Sequence, residues 1–212
     1  ELEDSVLRTR TESYSAAAAL ASGLSDRWTW GLMGGVVRSP LSNLASRIRI
    51  GPALEYNLWK YSESSQRQLT FLYRPGLRRT VYMEETLYGK TQEADADNSL
   101  TIALDLNQPW GTVSASLFGS AFLGDWTKNS LGVYGSMDLR VAKGLSLNLY
   151  ASYSRVRDQV ALPRSGASDE DVLLRRRELA TDYRFYGSVG VSYTFGSIFN
   201  SAVNSRFRNV GY

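Results

Sequence analysis

Between Asn98 and Arg157 apolar and polar residues alternate so regularly that only β-strands accommodate the pattern, because successive side chains of a strand point to opposite sides. One face reads Leu100, Ile102, Leu104, Leu106, then Val113, Ala115, Leu117, Gly119, Ala121, Leu123. It continues as Leu131, Val133, Gly135, Met137, Leu139, Val141, then Leu145, Leu147, Leu149, Ala151, Tyr153. The opposite face is small, polar and mostly uncharged, as in Ser114, Ser116, Ser120, Ser136, Asn148 and Ser152. Which face meets water decides the class of protein.

A soluble antiparallel sheet hides its apolar face and exposes a polar one, usually rich in Lys and Glu. Here the lysines, Lys60, Lys90, Lys128 and Lys143, all fall in predicted turns. A membrane barrel inverts the arrangement, with its apolar face in lipid and its polar face lining the interior. The strand lengths suit a tilted bilayer crossing, which takes roughly nine to eleven residues. The expected fold is therefore all-β, an antiparallel transmembrane β-barrel. A soluble all-β ligand-binding protein is the alternative.

Composition agrees. The 212 residues suffice for one large all-β domain, and no apolar run approaches the roughly eighteen residues of a membrane-spanning helix. A mean hydropathy of -0.27 fits a barrel whose interior and loop residues dilute the lipid-facing half. Cysteine is absent, so disulfides and thiolate metal sites are excluded. The net charge of +3 is small.

Taken in order, a first strand is expected over about Ser5 to Ala21 and a second carries Trp28 and Trp30 at its turn end. The third runs over about Leu44 to Trp59 and a long fourth over Gln66 to Tyr88, with a bend or bulge at Pro75-Gly76. A last strand runs from Asp182 to Gly196, so the barrel occupies 1–196 and a tail 197–212 lies on the periplasmic side. Connections at Ser22–Asp26, Lys60–Ser65, Gln108–Gly111 and Ala142–Gly144 alternate with those at Ser39–Asn43, Gly89–Asp97, Asp125–Asn129 and Asp158–Ala180, a set that includes the two longest and most charged. Outer-membrane barrels have short periplasmic turns and longer external loops, which orients the chain. The count is nine strands, whereas bacterial single-chain barrels have an even number. An additional N-terminal strand is the simplest expected remedy, with parallel closure or pairing with another chain as the alternatives, and no secretory leader is visible at Glu1.

Five segments carry a resemblance: Gly51-Pro52-Ala53-Leu54-Glu55-Tyr56-Asn57, Glu84-Glu85-Thr86-Leu87-Tyr88-Gly89-Lys90-Thr91, Gln108-Pro109-Trp110-Gly111, Lys143-Gly144-Leu145-Ser146 and Ser192-Tyr193-Thr194-Phe195-Gly196-Ser197-Ile198-Phe199-Asn200. Together they resemble a family of uncharacterised bacterial outer-membrane β-barrel proteins whose members are longer at the N-terminus. The resemblance spans about Ser22 to Phe207 and implies the barrel fold and an outer-membrane location. It implies no catalytic residues.

Chemistry is sparse. Without histidine or cysteine the commonest general base and the thiol nucleophile are missing. Glu84-Glu85 is the only tempting carboxylate pair, and strand neighbours point to opposite faces. The chain is thus expected not to be an enzyme and to need no metal or cofactor. Its inward charges, Arg47, Arg49, Arg74, Arg78, Arg140 and Arg184 with Glu55, Glu84, Asp105 and Asp138, are expected to brace the lumen or to give a pore a mild preference for anions. Trp28, Trp30, Tyr153, Tyr183, Tyr193 and Phe195 form the candidate aromatic girdle.

In the loop Asp158 to Ala180, Ser168-Asp169-Glu170-Asp171 reads as a helix N-cap with acids in the first turn. Arg175-Arg176-Arg177 closes that helix and offers a docking surface for a partner or for lipopolysaccharide phosphates. Expected partners are outer-membrane lipid, lipopolysaccharide and other outer-membrane or periplasmic proteins. Nucleic acid is not expected, because no basic face is interleaved with aromatics. The role anticipated is a structural or pore component of the bacterial outer membrane, within a larger outer-membrane assembly.

Overall fold

A computed structural model describes residues 11–157, 160–164 and 183–195. They form one nine-stranded sheet in which every neighbouring pair is antiparallel and strand order follows chain order. The strands are β1 (Tyr14–Gly23), β2 (Trp28–Ser39), β3 (Leu44–Asn57), β4 (Arg67–Tyr82), β5 (Gln92–Gln108), β6 (Gly111–Phe122), β7 (Asp125–Ala142), β8 (Leu145–Val156) and β9 (Tyr183–Tyr193). Two short 3-10 turns, Pro40–Ser42 and Tyr61–Glu63, sit in connections. Strands β1 and β9 are the two edges and do not pair with each other.

Register carries the alternation across the whole sheet. Ile102 faces Leu117, Leu117 faces Val133, Val133 faces Tyr153 and Tyr153 faces Phe185, so one apolar face runs unbroken from β5 to β9. Toward the other edge, Phe71 meets Tyr56, Tyr56 meets Trp28, and Leu32 meets Leu20. This apolar face is uncovered. Leu77 is 67% exposed and Val189 75%, while Thr80 and Asn57 on the polar face are 0% exposed. Burial of the polar side is confined largely to β3, β4 and β5, and polar residues of β6 to β8 such as Ser136 and Asp138 stay open. Within β3 to β5 the polar side is thus the more sheltered of the two, and elsewhere both faces are open.

The boundaries depart from expectation in informative ways. Strand β4 ends at Tyr82, so Met83–Thr91 is a connection and Glu84 lies in it, exposed, outside any strand wall. Strand β5 begins at Gln92, six residues before Asn98, and takes in Glu93, Asp95 and Asp97. Strand β7 starts at Asp125, which places Lys128 inside a strand rather than in a turn. Strand β1 begins at Tyr14. The loop helix with Arg175, Arg176 and Arg177, and the tail 197–212, lie outside the described residues.

Pro75-Gly76 makes neither a bend nor a bulge. The β4–β5 ladder passes straight through Pro75↔Asn98 and Gly76↔Asp97. Toward β3 the pairing lapses between Ile50↔Leu77 and Leu54↔Tyr73 and then resumes in the same register. That register sets Pro52 opposite Pro75, and neither has an N–H to donate. Gly51 makes the close approach possible, since a Cβ there would lie 2.1 Å from the Pro75 carbonyl oxygen. Gly51→Ala should therefore destabilise the fold by about 1–3 kcal/mol, read as a lowered urea midpoint of the detergent-refolded protein with unchanged slope.

At the end of the sheet where β2 turns into β3 and β4 into β5, Asn43 ties three segments together. It adopts a left-handed conformation with φ 57, which asparagine tolerates better than most residues. Its Nδ2 donates to the carbonyls of Glu84 at 3.0 Å and Ala161 at 2.8 Å, and its Oδ1 accepts the Glu84 N–H at 2.8 Å. Leu87 N–H donates to the Leu162 carbonyl, and Thr86 bridges to Pro163, so residues 160–164 lie against the 83–91 connection. Asn43→Gly keeps the backbone conformation and removes this clip. Limited proteolysis should then cut within 83–91 or 160–164 at least several-fold faster, with the strands intact.

Candidate functional site

The densest chemistry lies on the polar face of β3, β4 and β5, near the Asn43 end. Alternation on β5 turns Glu93, Asp95 and Asp97 to the same side as Thr80, Arg78 and Gly76 of β4. Arg49 reaches across β4 from β3, and its Nε donates to both Asp97 carboxylate oxygens at 3.0 Å. Its Nη2 also donates to the Arg74 carbonyl at 3.0 Å. Gly76 lies under this crossing, since a Cβ on it would sit 2.8 Å from the Arg49 Cζ. The missing side chain is the gap through which one strand's arginine reaches the next strand but one.

Arg78 sits beside Asp95 at 3.5 Å and Glu93 at 4.0 Å, with its guanidinium 4.2 Å from the centre of the Phe122 ring. Both Arg78 and Glu93 are nearly buried, at 9% and 6% side-chain exposure, which a charge pair tolerates and a lone charge does not. Tyr82 donates its hydroxyl to Glu93 Oε1, and Lys90 Nζ donates to Glu93 Oε2 at 2.7 Å. That hydrogen bond raises the Lys90 pKa, so the ammonium stays charged throughout the neutral range. Arg47 Nε donates to Thr80 Oγ1 at 3.3 Å.

The other expected wall charges stand apart. Glu55 accepts the Tyr61 hydroxyl at 2.7 Å, and Tyr61 in turn accepts from Thr29 Oγ1 at 2.9 Å. Burial, with Glu55 adding to it, pushes the Tyr61 phenol up. Asp105 accepts Ser114 Oγ at 2.7 Å, Asp138 accepts the Asn148 amide, and Arg140 Nη1 donates to the Pro109 carbonyl at 3.3 Å. Arg184 faces Ser154 on the edge strand β9. The structure thus brings Arg47, Arg49, Arg74 and Arg78 together and leaves Glu55, Glu84, Asp105, Asp138, Arg140 and Arg184 outside that group.

Three residues missing from the sequence-derived set are the acids that matter most here, Glu93, Asp95 and Asp97. Their signal is the run Glu93-Ala94-Asp95-Ala96-Asp97-Asn98, an acidic-and-small alternation of the same period as the strand that follows. Among the described residues no cluster of three or more His, Cys, Asp or Glu side chains is arranged to hold a metal ion.

The six aromatic residues all lie on the apolar side, at both ends of the strands. Trp28 packs on Tyr56 at 4.7 Å between ring centres, and Tyr193 on Phe195 at 5.6 Å, at the end that carries the β1–β2 and β7–β8 turns. Trp30 is at that end too, while Tyr153 stacks with Tyr183 at 6.4 Å at the other. Compared with known protein families, curated proteins and solved structures, the chain matches none.

Proposed function

We propose that this chain is the wall of a transmembrane β-barrel in a bacterial outer membrane, of the family its segments resemble, serving as a scaffold or pore component. The observation that carries the reading is the exposed apolar face. Across nine strands its charged members are Arg38, Arg67, Arg79 and Arg155, all toward strand ends. Such a band suits hydrocarbon, and monomeric soluble proteins rarely present contiguous apolar patches above a few hundred Å². The aromatic residues near both ends of that band suit the two interfaces.

Closure follows from direction. Strands β1 and β9 run the same way because their ordinals are both odd in a consecutive antiparallel order. Direct β1–β9 pairing would be parallel, so antiparallel closure takes a strand of opposite direction between them. Open edges are costly in lipid, which makes that closing strand part of the proposal.

Fractionation tests it. The native protein should sediment with outer membranes, resist an alkaline carbonate wash and enter solution only with detergent. Recovery as a monodisperse, detergent-free species would overturn the reading. Planar-bilayer recording then separates the two roles: discrete conductance marks a pore, and silence marks a scaffold.

A further inference from the structure

A second feature of the polar face points to a ligand. Between β1, β2 and the arginines of β3 and β4 lies a cavity of about 390 Å³, bordered by Ala17, Ala19, Gly35, Arg47, Arg49 and Arg74. Its floor is small because Ala17 faces Gly35 across the β1–β2 pair. Its other wall is cationic. Arg47, Arg49 and Arg74 line it, and Asp97 engages Arg49 from the β5 side.

Arg74 is the unusual member. Its Nε is buried without a hydrogen-bond partner, although its own carbonyl accepts from Arg49. A guanidinium carries five N–H donors and no acceptor, and the one carboxylate near both arginines, Asp97, already spends both oxygens on Arg49 Nε, so Arg74 is left short of acceptors. We propose that this cavity binds an oxyanion, a phosphate or carboxylate group bridging Arg74 and its neighbouring arginines. Planar guanidiniums match such groups through two parallel hydrogen bonds, which selects them over spherical chloride. The alanines and glycine across the cavity leave room for the rest of the ligand. The site depends neither on conduction nor on membrane insertion, so its failure and that of the barrel reading are separable.

Calorimetric titration of inorganic phosphate, and separately acetate, into the detergent-solubilised full chain at fixed ionic strength tests the site. Saturable binding of either anion, absent for chloride, is expected. Arg74→Gln should weaken it roughly tenfold to a hundredfold, the worth of a charge-assisted hydrogen bond or two. Ala17→Leu fills the cavity from the opposite wall, leaves every arginine in place and should also abolish binding. Arg184→Gln, on the same face of the far edge strand, should change nothing. Absence of saturable binding by both anions, or affinity unchanged in both Arg74→Gln and Ala17→Leu, would overturn the proposal.

Discussion

Leu117→Arg is expected to cost roughly 2–4 kcal/mol in a phospholipid bilayer, the penalty for a cation at the midplane of a membrane barrel. Leu117 sits in the middle of the apolar face, between Ile102 on β5 and Val133 on β7. It already contacts surrounding medium over 38% of its surface, so the outcome depends on what that medium is. In water an exposed leucine exchanged for arginine changes stability by only about 0.5 kcal/mol. Ser116→Arg, one residue away and on the polar face beside Tyr134, provides the contrast. Equilibrium urea unfolding from lipid vesicles should show a large loss for Leu117→Arg and a small one for Ser116→Arg. Equal, small effects would place water on both faces and remove the basis of the barrel reading.

The second large effect concerns the arginine that crosses β4. Asp97→Ala removes the acceptor for both hydrogen bonds from Arg49 Nε and leaves Arg49 and Arg74 as neighbouring unneutralised cations. Charge-assisted hydrogen bonds contribute about 1.5–3 kcal/mol. The pair is 26% and 17% exposed, so screening by solvent favours the lower end of that range. Gly76→Ala should cost part of this without touching either charge, since the new Cβ would come within 2.8 Å of the Arg49 guanidinium and push it off its line to Asp97. Because both changes break the same link, the double variant should lose little more than Asp97→Ala alone. Full additivity in urea unfolding would mean that Gly76 and Asp97 serve separate purposes.

Much of this architecture is legible in the chain itself. Period-two alternation is a local property, and it marks β6, β8 and β7 from Ser130 onward in strand and face, although the β6–β7 turn falls at Leu123-Gly124 and not at Asp125–Asn129. The turn pairs Pro109-Trp110 and Lys143-Gly144 are equally local, and Gly144 takes the positive φ of 80 that such a turn needs. Strand ends are less legible where the pattern changes character. Glu93 to Asp97 alternates acids with alanines, and a run so charged reads as loop until β4 offers Arg78 and Thr80 opposite it. Conversely Glu84 continues the parity of β4, yet Asn43 captures its backbone and holds it in a connection.

The sequence alone determined the strands, their number and the segregation of greasy from polar side chains, because each depends on neighbours one or two residues apart. Tertiary structure decided that the polar side is sheltered over β3 to β5 and which arginines share that wall. Those outcomes need contacts between residues far apart along the chain, as in Arg49 with Asp97 or Asn43 with Ala161, and no local period encodes them.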